Sequence, residues 1–340
     1  MSWALRGCVW ELTLRCNASC VHCGSDAGAP RPRELTATEA LAVCDALAGL
    51  GAREVTLSGG EPLLRADWSA IASRLSGRGV HVDLITNGLL LDRDAARRIR
   101  DAGVVSVSLS VDGPQPIHDH LRGTPGGFAQ AMAAAGHVRA AGLPVGAVTQ
   151  VSRANLTSLG ELEAGLVEAG FQGWQIQLTA PQGRAEESGL ALAPEQVPTV
   201  AAFILEPARS LRPYAADDIG WMTREEPELR STHRPTDQVY VGCQAGLTIL
   251  GLTAEGTVRG CLSLPDRFDE ANVREVPLAR IWEDPDRFSY NRRFDERELT
   301  GACASCAFRR VCRAGCKSLA WAHQRSLTEN RWCLRLTEPG

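Results

Sequence analysis

Residues 9–23, VWELTLRCNASCVHC, decide how the rest of the chain reads. The apolar run 9–14 has strand composition and runs directly into Cys16, Cys20 and Cys23 at C-x3-C-x2-C spacing. A loop leaving a strand can wrap three such thiolates around one inorganic core. Three is an odd count for a structural site, since a closed zinc site and an ordinary 4Fe–4S cluster each take four protein ligands. Three leave one metal position open to an exogenous ligand, which suits reactive chemistry.

Moving outward, apolar runs at 54–58, 80–86, 104–111, 145–151 and 174–178 read as five further strands. Segments of helical composition lie between them at 36–50, 68–76, 92–102, 128–141 and 156–169. Thr36 followed by Glu39 predicts a capping box, with Leu41, Cys44 and Leu47 on one helix face. Gly51, Gly103, Gly142 and Gly170 follow helical segments, where a residue without Cβ most easily takes left-handed geometry. Such βα repeats predict a parallel sheet with right-handed crossovers, open or curled toward a barrel.

The rhythm changes after about residue 185. Residues 193–210 read as one more helix, 212–237 are polar and proline-bearing, and 239–264 predict a hairpin turning at Thr253-Ala-Glu-Gly256. The expected division is a barrel core over 1–185, a helical or irregular linker over 186–238, and a small cysteine-rich domain over 239–340. A domain with so little core of its own is expected to be held by metal.

Composition narrows the partners. A net charge of −4 argues against general nucleic-acid binding, and the longest apolar stretches fall short of a membrane span. The opening MSWALRGCVWEL lacks the pattern of a secretory signal, so a cytoplasmic protein is expected. Twelve cysteines in 340 residues are too many for an ordinary cytosolic chain and too few for a disulfide scaffold. In a reducing compartment, clustered cysteines more often hold metal.

The second motif is Ser58-Gly-Gly-Glu61-Pro62 at the end of the second strand. Gly59 and Gly60 allow close backbone approach, and Glu61 can receive an ammonium group. Both motifs fall at carboxyl ends of parallel strands, where active sites gather in such folds. Together, WELTLRCNASCVHC and SGGEP resemble the radical S-adenosylmethionine (radical SAM) superfamily. The resemblance implies a partial (β/α)6 TIM barrel in which Cys16, Cys20 and Cys23 bind a 4Fe–4S cluster. Its fourth iron would be chelated by the methionine amino and carboxylate groups of S-adenosyl-L-methionine, which electron transfer cleaves to a 5′-deoxyadenosyl radical. It further implies cofactor contacts from the His22 backbone, Gly59, Gly60, Glu61, Ser110 and Leu178, whereas Thr86-Asn87-Gly88 reads equally as a simple turn.

A third set comprises Cys243, Cys261, Cys303, Cys306, Cys312, Cys316 and Cys333. Taken alone, its C-x2-C pair is compatible with a zinc ribbon. Following the other motifs, the segment resembles the SPASM domain, which carries two auxiliary iron–sulfur clusters and brings the expected total to three 4Fe–4S clusters. The resemblance assigns Cys303, Cys306, Cys312 and Cys333 to the outer cluster, and Cys243, Cys261 and Cys316 to the inner one. The inner cluster's fourth ligand is then a non-cysteine residue, water or substrate. Of the two remaining cysteines, Cys44 fits a buried helix face, while Cys8 is either core or a hydrogen-atom donor. His118, Asp119 and His120 are expected on a solvated loop. Asp112 and Arg122 are candidates for cofactor or substrate contact, and Gln175 and Gln177 share one face of the sixth strand.

SPASM enzymes commonly modify ribosomally made peptides by cross-linking, epimerisation, decarboxylation or tyramine excision, so a precursor peptide is the expected substrate. The alternatives are a small-molecule radical dehydrogenase acting on a sugar or amino-alcohol, and a non-catalytic iron–sulfur or zinc protein. A peptide calls for a groove large enough for an extended chain, and a small molecule for a closed polar pocket. With the first strand near Val9, a leader peptide would be bound by a separate recognition protein or by the catalytic domain itself. Leu262 after Cys261, where sulfatase-activating relatives carry an acidic base, disfavours that activity. A flavodoxin or ferredoxin is the electron donor the resemblance implies.

Overall fold

The computed structural model describes residues 3–230 and 239–337, so 231–237 of the proline-bearing stretch lie outside the described residues. The repeats form β1 (Gly7–Glu11), α1 (Ala37–Gly49), β2 (Glu54–Ser58), α2 (Trp68–Gly77), β3 (His81–Thr86), α3 (Arg93–Asp101) and β4 (Val104–Ser110). They continue as α4 (Gln115–Arg122), α5 (Gly127–Ala140), β5 (Val145–Val151), α6 (Leu159–Ala169) and β6 (Gly173–Leu178). These six strands pair in chain order and all in parallel, the expected partial-barrel core. Alternation separates two faces of the sheet. Trp10, Leu57, Leu84, Leu109 and Ile176 are fully buried in the apolar core, while Val9, Ser58, Ile85, Ser110, Gln175 and Gln177 line a cavity.

The capping box is present: the Glu39 N–H donates to Thr36 Oγ1 at 3.3 Å, and the Thr36 N–H donates to Glu39 Oε2 at 2.8 Å. Two elements depart from expectation. The segment containing His118, Asp119 and His120 is the helix α4, started by Pro114 and ended by left-handed Gly123, and His118 is buried rather than solvated. The helix expected over 193–210 is confined to α8 (Val197–Leu205), because Pro207 disfavours helical geometry at the preceding Glu206. It follows the short α7 (Arg184–Ser188) and precedes an unexpected seventh parallel strand, β7 (Pro213–Ala215), at the sheet edge beside β6.

The hairpin forms as expected from β8 (Ile249–Leu252) and β9 (Thr257–Arg259), followed by β10 (Ala271–Asn272). Unexpectedly, β8 also pairs in parallel with β1, so one ten-stranded sheet runs β10-β9-β8-β1-β2-β3-β4-β5-β6-β7. Glu11 fastens this joint. Its buried carboxylate accepts from Arg31 Nε at 2.6 Å and from the Ala254 N–H of the hairpin turn at 3.1 Å. Arg274, just after β10, pairs with Glu39 at 2.6 Å and holds that carboxyl down at about 2. The C-terminal segment is thus docked on the helix whose cap Glu39 completes.

Replacing Glu11 with Ala should strand the mostly buried Arg31 and the Ala254 N–H. Thermal or urea unfolding of the reconstituted protein should show a loss of about 3 kcal/mol, whereas Glu39→Gln at the exposed pair should cost under about 1 kcal/mol.

Candidate active site

The three-cysteine loop is shaped by close backbone contact. The Gly60 N–H donates to Thr13 O at 2.8 Å, and the Glu61 N–H donates to Arg15 O at 2.8 Å. A Cβ at Gly60 would lie 2.4 Å from Arg15 O, and one at Gly59, where φ is +138°, would lie 2.3 Å from Thr13 O. Only glycine lets β2 end this close to the loop leaving β1. Beyond the turn, Glu61 departs from the expected ammonium receptor. Its fully buried carboxylate accepts from Thr86 Oγ1 at 2.7 Å, the Asn87 N–H at 2.9 Å and the Leu63 N–H at 3.1 Å, and does not line the cavity. It anchors the loop after β3, carrying Asn87 onto the cavity wall; the turn 86–88 that read as a plain turn is part of the site.

Cys16, Cys20 and Cys23 meet at the cavity mouth, where burial and mutual repulsion push up the Cys16 and Cys20 thiols. Each sulfur has a nitrogen donor within sulfur hydrogen-bonding range: Asn87 Nδ2 at 4.0 Å from Cys16, Arg122 Nη1 at 3.8 Å from Cys20, and the Ala27 N–H at 3.4 Å from Cys23. Donors aimed at sulfur favour thiolates, so this set fits an iron–sulfur cluster.

Beneath it lies a buried charged group. Asp112 Oδ2 lies 2.5 Å from Arg122 Nε and 3.1 Å from His22 Nε2, while Asp112 Oδ1 accepts the Gln150 N–H at 2.9 Å. Burial alone would raise the Asp112 carboxyl, but Arg122 and then His22 more than offset it, leaving it well below the usual range. Asp112 is fully buried and off the cavity wall, so it positions Arg122 and His22 instead of touching a ligand, as the sequence reading had allowed. Arg122 does reach the cavity. His22 turns its other nitrogen to Leu121 O at 3.2 Å, leaving only its backbone for a cofactor.

The cavity measures about 340 Å³ and continues, past Glu11, Gly24, Gln182 and Leu262, into an outer chamber of about 560 Å³. Gly59, Gly60, Ser110 and Leu178 line the inner cavity, together with Gln150, Gln175 and Gln177. Cys8 does not. Strand alternation turns it to the opposite face beside Cys44, in the core, where burial pushes its thiol far up, against a hydrogen-atom donor at this cavity. Residues that sequence reasoning missed include Arg184, whose Nε donates to Cys20 O at 2.7 Å, and Asp218, just past β7. Asp218 Oδ2 accepts the Leu178 N–H at 2.8 Å, Oδ1 has no partner, and burial pushes the carboxyl up to about 7.

The seven C-terminal cysteines fall into two electrostatic groups. Burial and then the neighbouring thiols of the group push up Cys303, Cys312 and Cys333, and these three line a separate cavity of about 280 Å³ together with Cys306. Cys243, Cys261 and Cys316 form the second group, in which burial and Cys243 push up both other thiols. Near it sit buried hydroxyls of Tyr240 and Tyr290 that have no hydrogen-bond partner, both raised by burial and then by these cysteines. Among the described residues no three His, Cys, Asp or Glu side chains converge as a single metal ion needs.

Comparison with known proteins agrees with this geometry. The sequence pattern of the Radical SAM superfamily matches residues 10–152, and that of the SPASM iron–sulfur cluster-binding domain matches 243–307. An AdoMet-dependent heme synthase of Methanosarcina barkeri is 32% identical, the match covering 98% of this chain and 97% of that protein. The mycofactocin maturase MftC of Mycobacterium ulcerans is 28% identical, over 90% of this chain and 81% of its own. The crystal structure of Streptococcus suis SuiB with S-adenosylmethionine superposes with a TM-score of 0.74 at 15% identity, over 96% of this chain and 76% of SuiB. The chain belongs to the radical SAM superfamily and carries its SPASM domain. It is accordingly an iron–sulfur, S-adenosylmethionine-dependent enzyme. No helix among the described residues is long and apolar enough to cross a membrane.

Two outcomes follow. Gly60→Ala should force the cysteine loop off the β2 turn and cut iron bound per chain by at least about a third, roughly one of three clusters, by colorimetric iron assay. His118, whose Nδ1 accepts the Asp112 N–H, is held neutral by burial, its pKa lowered from the ordinary 6.5 to about 4. The unfolded chain therefore takes up this proton first, and stability should fall by up to about 3 kcal/mol as pH drops from 6.5 to 4. Urea titrations across that window should show a flatter profile for His118→Asn.

Proposed function

We propose that this enzyme abstracts a hydrogen atom from a residue of a ribosomally made precursor peptide lying along the two-chamber channel. The observation that carries this reading is the channel lining. Gln150, Gln175 and Gln177 present amides that can both donate to and accept from a peptide backbone, and the inner cavity opens into a larger chamber instead of closing. The relationship to the mycofactocin maturase adds support. When bound at Cys16, Cys20 and Cys23, the cluster with S-adenosylmethionine supplies the 5′-deoxyadenosyl radical. Gly59, Gly60, Ser110, Leu178 and the His22 backbone hold the cofactor, Arg122 offsets charge at Cys20, and Asp112 orients Arg122 and His22. The two C-terminal groups hold auxiliary clusters, for three 4Fe–4S clusters in all, and a flavodoxin or ferredoxin supplies the electron.

A second reading is a carboxylate-bearing small molecule of the tetrapyrrole class, favoured by the full-length similarity to heme synthases and by Arg31, Arg259, Arg267 and Arg325 around the outer chamber. Against it, Trp321 is the only Trp, Tyr or Phe among the described residues lining either chamber, where a macrocycle calls for broad apolar faces.

Anaerobic reconstitution should yield about twelve irons per chain. With dithionite and S-adenosylmethionine, 5′-deoxyadenosine release should rise at least about tenfold on adding a precursor peptide encoded beside the gene, with a mass change in that peptide. Stimulation by iron-coproporphyrin and not by peptide would establish the second reading. Bound zinc without cofactor cleavage would remove both.

A further inference from the structure

The inner auxiliary group is one ligand short. Cys243, Cys261 and Cys316 supply three thiols, and the remaining cysteines are committed elsewhere: three at the mouth of the inner cavity, four around the separate cavity of about 280 Å³, and Cys8 and Cys44 in the core. One buried carboxylate oxygen in this part of the molecule has no partner. Asp218 Oδ1 is sealed from solvent without a hydrogen-bond partner, although its sister oxygen is fixed at 2.8 Å by the Leu178 N–H. A buried carboxylate with a bare oxygen is costly unless it takes up a proton or a cation meets it. The charge of Asp218 acts on the Cys316 thiol, and Asp218 shares a cavity wall with Ser318 and Leu319, which follow Cys316 in the chain.

We propose that Asp218 completes the inner auxiliary cluster, its free Oδ1 binding the iron that no cysteine reaches. This rests on the reading of Cys243, Cys261 and Cys316 as cluster ligands. Other orphan groups nearby are the Tyr240 and Tyr290 hydroxyls, which carry a proton to donate and so suit hydrogen bonds to cluster sulfur, and Asn291 Oδ1, a neutral amide oxygen whose Nδ2 is held by Cys243 O and Ala245 O. Asp218 has its other oxygen already anchored, so on deprotonation the free oxygen is a preorganised anionic ligand. The inner cluster would then have no open iron for substrate, and substrate would meet it across Leu319 and Ser318 without binding it.

The test isolates the auxiliary clusters in full-length protein carrying Cys16→Ala, Cys20→Ala and Cys23→Ala, and reads electron paramagnetic resonance of the reduced clusters with and without imidazole. With Asp218 present, about eight irons per chain and a signal unmoved by imidazole are expected. Asp218→Ala should keep the outer-cluster signal but show an inner-cluster signal that shifts on adding imidazole. Asp218→Cys should restore insensitivity at an unchanged iron count. Asp218→Asn, able to retain the Leu178 bond, should separate loss of the ligand from loss of folding by giving the imidazole-sensitive signal at native elution volume. An imidazole shift in the Asp218 protein equal to that of the Ala variant would overturn the proposal, leaving the iron open and the carboxylate facing substrate. About four irons per chain in the Asp218 protein would overturn the inner-cluster reading with it, and the iron count tells the two failures apart.

Discussion

Placement of the site depends on two backbones meeting where no side chain fits. At Gly59 and Gly60 the end of β2 lies against Thr13 and Arg15, close enough that any Cβ would collide with carbonyl oxygens. The contact bends the cysteine loop over the sheet and lets Glu61 reach under it to Thr86 and Asn87. Asn87 then returns a side-chain donor toward Cys16. Three strand ends are thereby locked by one glycine pair, and the thiols inherit their positions from it.

Charge is handled by the same economy of connections. Burying Asp112 would be unfavourable alone, since an uncompensated interior carboxylate costs several kcal/mol, on the order of 3–5 when a partner is lost. Here Arg122, His22 and the Gln150 N–H all meet it. The pairing holds Arg122 so that its remaining donor faces Cys20, which joins α4 and β5 to the cysteine loop. Electrostatics at the cavity mouth is therefore set by a carboxylate that never touches the cavity.

The C-terminal segment is continuous with the barrel at the level of the sheet. Because β8 pairs with β1, the backbone that leads into the cysteine loop also supports the hairpin preceding Cys261. Glu11 and Arg274 tie the same joint from either side.

What the sequence determined by itself is whatever rests on local pattern. Strand periodicity, the Thr36–Glu39 cap, the glycine pair and the cysteine spacings depend on neighbours a few residues apart, and they predicted the six-stranded core, the hairpin turn and the family. Contacts over long separations were not legible. Cys8 reads as either core or a hydrogen-atom donor, and only the direction of its strand decides that it faces Cys44 and the core. Asp112 and Glu61 read as ligand contacts until their burial commits them to Arg122, His22, Thr86 and Asn87. Asp218 lies in a polar stretch with no motif, and β7 is three residues long, too short for periodicity to show. Both acquire meaning only when the sheet edge beside β6 brings that stretch to the cavity, because a carboxylate's role is set by which groups surround it in space, and those come from β6 and from a helix about a hundred residues further on.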